Sequence, residues 1–550
     1  MDSESLRSRR PLVGRSVVSS TLGIVAANHP LAARAGVEML ERGGNAVDAA
    51  IAANAMMGLL EPASNGIGGD LFVLYSPAKT GQTFGLNASG WAPAALTVDF
   101  LRSGGFEFMP STGIHTVTVP GAVAGWDALL SRFGTLPFRD LLAPTIHYAE
   151  EGFPVTEIIA QGWAGISERL NAYPPAAKTY LIEGRPPRDG EVFRNPALAG
   201  CLRRIAESGR DGFYKGLTAQ AIVRLSTELG GRMTSPDLEQ FEPEWVSPIS
   251  TDYRGWTVQE IPPNSTGIAA LLMLNIIEQF PLKTWGFHSA KTLHVMIEAK
   301  KLAYADLIRY VGDPNFSTIP VETLLSKVHA AHRAREIDPD RAAAQVSPSH
   351  LEGYTNSAGH DTIYLCVVDK QGNIVSLIQS IYSGFGSGLV PDDMGFALHN
   401  RGALFTLEPN HPNTLMPRKR PLHTIIPGFM EKEGVRIGFG IMGGFNQPQA
   451  HAQFVANIAD FDFTIQEALE AGRFTKPTFE GCDVCVEPSI PADVLDELRA
   501  LGHELEVAPH RSGWFGWGHA VMSTPHGVHF GASEPRHDGA AIPQLRPYEK

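Results

Sequence analysis

The junction between Asp361 and Thr362 is the place in this sequence where one residue could supply both a nucleophile and a base. Residues 336–361 (EIDPDRAAAQVSPSHLEGYTNSAGHD) show no hydrophobic periodicity and are rich in Pro, Ser, Gly and Asp, which predicts a long mobile loop. The apolar run 363–368 (IYLCVV) that follows predicts a buried strand. Cleavage before Thr362 would leave a free α-amine beside its hydroxyl, and such an amine can activate the hydroxyl as a nucleophile. A threonine at the start of a strand is common, so the junction alone is weak support for this chemistry.

Two glycine-rich segments could supply backbone N–H donors to a substrate oxygen. One is Gly443-Gly444 within GIMGGFNQP, and the other is 382–388 (YSGFGSG). Without side chains, glycines let their N–H groups approach a developing oxyanion closely, although plain turns have the same composition. A third segment, 64–70 (SNGIGGD), is similar to a dinucleotide-binding loop, but it follows a predicted helix and precedes a predicted strand. That order is the reverse of the dinucleotide fingerprint, so the nucleotide interpretation is rejected.

The elements that must position these residues fall into a helical part and a strand-rich part. Residues 137–330 show mainly the 3.6-residue spacing of helices, interrupted by one predicted strand pair. After residue 361 short buried strands alternate with helices, beginning with the hairpin 363–368/374–381. Strands flanked by helices at both ends predict sheets stacked between helical layers. Other predicted strands are 23–28, 71–75, 83–86, 116–119, 249–253, 257–261, 396–399, 435–440, 484–487 and 528–530, and other predicted helices are 31–42, 45–60, 450–458, 465–471 and 492–501.

The composition is that of a globular chain for which neither nucleic acid nor membrane is an expected partner. The 550 residues carry a net charge of −13, and a negative surface disfavours phosphate backbones and anionic lipid. The longest apolar stretches, 49–60 and 267–277, are far shorter than the roughly 20 residues of a membrane span, and no signal-peptide-like segment is evident. We therefore expect a cytoplasmic protein. Cys482 and Cys485 form a CxxC, but no nearby histidine completes a zinc site, so no metal is predicted.

Taken in order along the chain, these motifs resemble the γ-glutamyltransferase family of self-processing N-terminal nucleophile (Ntn) hydrolases over nearly the whole length. The landmarks before the junction are GGNAVDAA (43–50), EPASNGIGGDLFV (61–73), TVTVPGAVAGW (116–126), NPALAGCLRRIAESGRDGFYKG (195–216), PPNSTGIAALLMLNIIE (262–278) and EAKKLAYADLIRYVGDP (298–314). The later ones are DTIYLCVVDKQGNIVS (361–376), FGSG (385–388), KRPLHTIIP (419–427), MGG (442–444) and GASEPRHDG (531–539). The variant segments IQSIYSGFGSG, HNRGALF, RPLHTIIP and MGGFNQPQ are similar to the branch with oxamate amidohydrolase and cephalosporin-acylase-like proteins.

The resemblance implies an α/β (α+β) fold, a four-layer αββα sandwich with additional helices from a large subunit. It implies self-cleavage between Asp361 and Thr362 into a large subunit, 1–361, and a small subunit, 362–550, which together form one domain. The predicted mobile loop would then be the end of the large subunit. The implied partners are a small-molecule amide and the two subunits themselves, and pairing of two such heterodimers stays open.

The resemblance also assigns the catalytic residues position by position. Thr362 matches the nucleophile and Ser380 matches a hydroxyl that supports it. Gly443 and Gly444 match the oxyanion-hole pair. An acyl group would pass through a threonine ester to water or to an acceptor amine, without a cofactor.

The departures from the family concern the substrate. Glutamyl-specific members hold the α-carboxylate with an arginine where this chain has Ser89, and the α-amine with an acidic residue where it has Leu404. An asparagine after the supporting hydroxyl is here Tyr382, and the first of a serine pair is His423. A zwitterionic glutamyl head group would lose its charged partners, which is costly in a buried pocket. Arg401 and His423 are new polar groups near the site; either could bind a carboxylate, and structural hydrogen bonding is the alternative.

Three functions remain open from the sequence. The first is a self-processed threonine amidohydrolase acting on a small carboxylate-bearing amide, either γ-glutamyl or oxamate-like. The second is a true glutathione hydrolase or γ-glutamyltransferase with a rebuilt glutamyl pocket. The third is a catalytically silent binding protein on the same scaffold, and the intact Thr362, Ser380 and Gly443-Gly444 argue against it.

Overall fold

The computed structural model describes residues 14–347 and 361–546, and ten of its nineteen strands lie close to the predicted positions. The strands are β1 Val18–Ser20, β2 Ile24–Ala27, β3 Asp70–Ser76, β4 Phe84–Ala88, β5 Phe153–Pro154, β6 Val192–Phe193, β7 Glu244–Val246, β8 Ile249–Tyr253, β9 Trp256–Glu260, β10 Asp361–Val368, β11 Ile374–Tyr382, β12 Gly428–Lys432, β13 Val435–Ile441, β14 Phe474–Thr475, β15 Asp483–Val486, β16 Glu504–Val507, β17 Gly518–Ser523, β18 His529–Ser533 and β19 Ala540–Pro543.

The helices are concentrated between β4 and β10, as the periodicity predicts. They are α1 Pro30–Glu41, α2 Ala46–Leu60, α3 Val98–Ser103, α4 Ala122–Phe133, α5 Phe138–Glu151, α6 Glu157–Gly165, α7 Ser167–Asn171, α8 Pro174–Tyr180, α9 Pro196–Ser208, α10 Asp211–Tyr214, α11 Gly216–Glu228, α12 Ser235–Glu239, α13 Gly267–Ile277, α14 Leu282–Trp285, α15 Ala290–Tyr310, α16 Val321–Leu324, α17 Lys327–Ala334, α18 Gln447–Ala459, α19 Ile465–Glu470 and α20 Ala492–Ala500. Over the described residues, none of them combines the length and apolar character that crossing a bilayer would require.

Two antiparallel sheets of seven strands each form the centre of the described residues. The first sheet has the strand order β1-β18-β17-β13-β12-β9-β8, and the second has the order β19-β2-β10-β11-β3-β4-β7. In the second sheet β10 lies between β2 and β11, and its hairpin with β11 keeps regular pairing from Ile363 opposite Gln379 to Val368 opposite Ile374. The strand that begins at Asp361 is therefore central, with neighbours on both edges.

Three apolar cores separate four layers. Helices α1 and α2 pack on the outer face of the second sheet, and the two sheets pack on each other. Helices α13 and α18 pack on the outer face of the first sheet, and α15 packs against α13. Representative buried side chains are Val37, Ile51, Leu365 and Val375 in the first core, Phe72, Tyr364, Phe429 and Val521 in the second, and Leu271, Ile297, Phe439 and Phe454 in the third. The predicted αββα sandwich is confirmed.

Helix α2 is buried on all sides, as its run of small apolar residues predicts. The side chain of Asn45 accepts from the N–H of Asp48, and the Asp48 carboxylate accepts from the N–H of Asn45 at 2.8 Å, which closes a capping box. Within the helix, Asn54 accepts from Trp126 Nε1 at 2.7 Å, so its amide oxygen is paired despite burial. The helix packs against β10 and β11 on the outer face of the second sheet.

Two predicted strands are wrong. Residues 116–119 begin in a 3₁₀ turn and continue without pairing into a ladder, and residues 396–399 likewise have no strand partner. Both segments make single hydrogen bonds to loops instead, such as Val119 N–H to the Trp91 carbonyl and His399 N–H to the Gly68 carbonyl. Alternating apolar residues signal extended, half-buried backbone, and this can occur without a neighbouring strand.

The predicted loop 336–361 is described only in its first part, because residues 348–360 lie outside the described residues. That first part has no helix or strand, as predicted, yet it is anchored. The N–H of Ala342 donates to the carbonyl of Leu501 at 2.7 Å, and the carbonyl of Ala343 accepts from Lys301 Nζ at 2.7 Å.

Candidate active site

Thr362 is the second residue of β10, and its side chain lies on the face that meets the first sheet. Side chains alternate along a strand. Ile363 and Leu365 pack in the core under α1 and α2, whereas Tyr364 packs between the sheets, on the same face as Thr362. Thr362 is 2% exposed, and its Oγ1 donates a hydrogen bond to Ser380 Oγ on β11 at 3.1 Å. The structure thus brings the predicted nucleophile and its predicted supporting hydroxyl together.

Ser380 is held by groups from three parts of the chain. The backbone N–H of Tyr382 donates to its Oγ at 2.8 Å, and Arg401 Nη2 donates to the same oxygen at 3.0 Å. On the neighbouring strand, Asp70 pairs with Ser380, and a Cβ on Gly69 would lie 2.4 Å from the Ser380 carbonyl oxygen. Only a glycine permits that approach. The glycine-rich SNGIGGD segment therefore allows β3 to pack closely against β11.

Gly443-Gly444 reach the same end of β10 because of the way the sheets stack. A Cβ on Gly438 of β13 would contact Ser376, which pairs with the middle of β10. A Cβ on Gly440, two residues later, would contact the ring of Tyr364, nearer the beginning of β10. Strand β13 therefore runs towards the beginning of β10, and the glycine pair follows just beyond its end.

The backbone of the glycine pair suits an anion. Gly443 has a φ of 122° and Gly444 a φ of 57°, conformations that favour glycine. The 3₁₀ turn Gly444–Asn446 leads directly into α18, so the pair precedes a helical N-terminus. The N–H groups and the helix dipole there favour negative charge, which is the requirement of an oxyanion hole.

Arg401 is completely buried beside Ser380. Its Nη2 donates to Ser380, and its Nη1 donates to Thr424 Oγ1 at 2.8 Å. Its guanidinium carbon lies 4.4 Å from the ring centroid of Tyr382, whose φ of 78° is rare for an aromatic residue. Burial lowers the pKa of Arg401 to about 10, against the opposing charge of Asp70, so the group is a cation at neutral pH.

The carboxylate of Asp70 is buried close to this cation and is held by two histidines. Asp70 Oδ2 lies 3.0 Å from His423 Nε2 and 3.3 Å from His399 Nδ1, and Oδ1 accepts from the N–H of Gly90 at 2.9 Å. Burial alone would raise the pKa of Asp70, but the charge of His399 and the hydrogen bonds from His399 and His423 outweigh it and hold that pKa below its usual range. Burial, reinforced by the charge of Arg401, lowers the pKa of His423 to about 3. His423 is therefore neutral and donates to Asp70.

Ser89 and Leu404, which stand where glutamyl-specific proteins are expected to carry charged anchors, are both buried. Ser89 Oγ donates to Asn87 Oδ1 at 2.7 Å and accepts from Asn264 Nδ2 at 3.2 Å. Leu404 ends the 3₁₀ turn that begins at Arg401. Hydrogen bonds within the protein therefore hold Ser89 in place, and an isobutyl group occupies position 404.

Three residues of this site were not anticipated from the sequence: Asp70, His399 and Thr424. Asp70 has one signal in the sequence, because it ends the SNGIGGD segment, which is a family landmark but gives no role to this carboxylate. His399 lies in a segment predicted to be a strand, and its ring Nε2 lies 2.9 Å from the carbonyl oxygen of Thr118. Their contacts with the predicted site residues form only when the chain folds.

A second polar cluster lies on α15. His294, Glu298 and His503 place one potential ligand atom each within 4.8 Å of one another, and the described parts of the chain hold no other group of this kind. The two imidazoles already hydrogen-bond each other at 2.8 Å, and Lys301 Nζ lies 2.7 Å from the Glu298 carboxylate. The ammonium neutralises the carboxylate and would repel a divalent cation. We assign no metal there.

Two stacked antiparallel sheets between helical layers, with a threonine at the start of a central strand, define the class of Ntn-type amide hydrolases. The family profile described as Gamma-glutamyltranspeptidase matches residues 32–544. The chain belongs to the γ-glutamyltranspeptidase family, as its motifs predict.

Individual relatives are hydrolases and acylases. The chain is 36% identical over 537 residues to the glutathione hydrolase-like YwrD proenzyme of Bacillus subtilis, covering 96% of this chain and 100% of that protein. It is 35% identical over 532 residues to the oxamate amidohydrolase proenzyme of Klebsiella pneumoniae, covering 95% and 98% of the two chains. The structure of cephalosporin acylase from Bacillus halodurans is similar with a TM-score of 0.90 at 43% identity, covering 97% of each chain. The protein is thus an enzyme of the hydrolase class.

Proposed function

We propose that this protein is a self-processing threonine amidohydrolase that cleaves amides of small carboxylate-bearing acyl groups, of the oxamate kind, through an ester of Thr362. The observation that supports this proposal is that Arg401 is a buried cation that forms no ion pair with a carboxylate among the described residues. Over the described residues its contacts are two hydroxyl groups and the ring of Tyr382. By contrast, four other buried arginines lie 2.6 to 3.1 Å from a carboxylate oxygen: Arg333, Arg420, Arg473 and Arg536. A buried charge normally has a partner, and an anionic substrate would supply it.

The position of that cation favours a short acyl group. The hydrogen bonds from Thr362 and from Arg401 to Ser380 Oγ measure 3.1 and 3.0 Å and meet at one atom. Arg401 Nη2 therefore lies no more than about 6 Å from Thr362 Oγ1. In oxamate the carboxylate is bonded directly to the amide carbon, so one small molecule can reach both groups. In a γ-glutamyl donor three further carbons separate the α-carboxylate from the reacting carbon.

Processing would begin with attack of Thr362 Oγ on the carbonyl carbon of Asp361, which moves the chain from nitrogen to oxygen. Water then hydrolyses that ester and leaves a carboxylate on residue 361 and a free amine on Thr362. The names of the Bacillus and Klebsiella relatives as proenzymes support such a step. The products, 1–361 and 362–550, would stay together as one domain, because β2 and β3 of the first flank β10 and β11 of the second.

In turnover, the α-amine of Thr362 accepts the hydroxyl proton as Oγ attacks the amide carbon. The N–H groups of Gly443 and Gly444 stabilise the oxyanion, and the leaving nitrogen takes the proton as the C–N bond breaks. Water then attacks the ester, with the same amine as base, and releases the acid. Arg401 orients the substrate through its carboxylate, and Ser380 orients the nucleophile.

A second candidate is glutathione hydrolysis with a rebuilt pocket, favoured by the name of the Bacillus subtilis relative. It requires new anchors for the glutamyl head group, since Ser89 and Leu404 carry no charge. A silent binding protein is the third alternative, and the assembled Thr362, Ser380 and glycine pair support catalysis instead.

A denaturing gel and a donor panel test the proposal. Purified protein should resolve into chains of 361 and 189 residues, and its kcat/KM for oxamate should exceed that for glutathione. Thr362→Ala should remain one chain and turn over neither donor, because one hydroxyl serves both steps. Thr227→Ala, which alters an exposed threonine on α11, is the matched control. An uncleaved chain that turns over substrate would refute the mechanism, and glutathione turnover with inert oxamate would replace it with the second candidate.

A further inference from the structure

A buried carboxamide beside the glycine pair has no hydrogen-bonding partner at either end. Asn446 closes the 3₁₀ turn Gly444–Asn446 and is 4% exposed. Neither its Oδ1 nor its Nδ2 is paired with any of the residues that the structure describes. Buried amides are almost always paired, so this one calls for a ligand.

The carboxamide lies against the glycine that borders the oxyanion hole. A Cβ on Gly443 would lie 3.2 Å from Asn446 Cβ and 3.3 Å from its Nδ2, so the amide fills the space that a side chain would take. The turn beneath it is fixed: the N–H of Asn446 donates to the Gly443 carbonyl at 2.9 Å, and Gln447 Oε1 accepts from the N–H of Ile426 at 2.9 Å. The backbone is held while the amide can present either end to a ligand.

We propose that Asn446 is a specificity-determining residue that binds the scissile amide itself, with its Oδ1 accepting the N–H of the leaving nitrogen. This inference deepens the proposed function and rests on it. When the carbonyl oxygen of a donor is held by Gly443 and Gly444, its nitrogen is the next polar atom along the same group. An amide nitrogen brings a hydrogen for Oδ1, whereas the alkoxy oxygen of an ester brings none. The nitrogen of a primary amide carries two hydrogens, so one stays on Asn446 while the nitrogen takes its third from Thr362.

A matched pair of donors isolates this contact. Oxamate and monoethyl oxalate share the acyl half, the acyl-enzyme and its hydrolysis, and they differ only in the leaving group. Asn446→Leu keeps the branching of the side chain and removes both polar atoms. We expect it to lower kcat/KM for oxamate roughly 10- to 100-fold and that for monoethyl oxalate less than about threefold.

The ratio of the two kcat/KM values is the readout, because a merely structural role would change both donors together. Equal losses on amide and ester, or no loss on either, would overturn the inference. Asn446→Ser, whose hydroxyl is too short to reach the leaving nitrogen, carries the same comparison if the leucine variant does not fold. A wild-type protein that turns over neither oxalyl donor would instead refute the proposed function. The Asn446 comparison would then use an amide and an ester of a γ-glutamyl donor.

Discussion

Replacing Arg401 with methionine should separate two roles that its guanidinium could have in catalysis. In the first role the cation binds the substrate carboxylate. In the second it acts only through the hydrogen bond from Nη2 to Ser380 Oγ at 3.0 Å, which orients the hydroxyl next to Thr362. Methionine has a similar reach and fills the buried volume, but it carries neither charge nor donors. Two donors of equal size distinguish the roles: oxamate has a carboxylate, and oxamide has a neutral amide in its place.

The size of each effect follows from the contacts. A hydrogen bond between charged groups contributes about 1.5–3 kcal/mol, and each 1.36 kcal/mol is a factor of ten in rate. Losing the carboxylate contact should therefore lower kcat/KM for oxamate roughly 10- to 150-fold. The contact to Ser380 has a charged donor but a neutral acceptor, so at the low end of that range, about 1.5 kcal/mol, oxamide should lose only about tenfold. The kcat/KM ratio of oxamate to oxamide should thus fall in Arg401→Met.

The assay compares kcat/KM for both donors on fully cleaved wild type, Arg401→Met and Arg333→Met. Arg333 is another buried arginine, paired with Asp306 at 3.0 Å, so its replacement controls for the loss of a buried cation. It should leave the donor ratio unchanged. Equal losses on both donors in Arg401→Met would show that Arg401 acts only through Ser380. Unchanged rates would place the substrate carboxylate elsewhere.

Three further outcomes test other parts of the site. Gly443→Ala should reduce turnover roughly 100-fold or more, because its φ of 122° and the side chain 3.2 Å from the new Cβ both oppose alanine at the proposed oxyanion hole. Gly527→Ala, at a φ of 72° in open space, is the control. Burial lowers the pKa of His519 to about 3. Between about pH 6.5 and pH 3 only the unfolded chain therefore binds this proton, and the free energy of unfolding decreases as the pH falls. Relative to the parent chain, His519→Gln in the uncleaved Thr362→Ala background should gain about 1 kcal/mol of stability in urea unfolding as the pH falls from 6 to 5, and a pH-independent difference would contradict neutral burial. Activity should survive dialysis against EDTA, and loss restored by zinc would give the His294 cluster or the CxxC a metal role.

The sequence predicted the layers better than it predicted the connections between them. Periodicity located α2 and the hairpin of β10 and β11, because both are local patterns of apolar residues. It failed at 116–119 and 396–399, because an alternating apolar pattern indicates burial but does not indicate whether a neighbouring strand is present. The predicted Thr362, Ser380 and glycine pair came from resemblance to a family, and the structure places the first two in contact. The contact of Asp70 with His423 spans 353 residues, so no local pattern could reveal it.

Charge placement links these observations to specificity. If a carboxylate contacted the Arg401 guanidinium directly, as one contacts Arg333, the two groups would form a structural ion pair. The guanidinium would then have no charge available to bind a ligand. Asp70 is buried near enough to affect the pKa of Arg401, yet its Oδ2 is held by His399 and His423. Asp70 therefore stabilises the cation through its field, while Nη1 and Nη2 of Arg401 donate to neutral hydroxyls. A substrate carboxylate that displaces those hydroxyls gains a charged bond at little cost, because hydroxyls are weaker acceptors than carboxylates. A neutral substrate cannot form this charged hydrogen bond with Arg401, so we expect the site to prefer small anionic substrates.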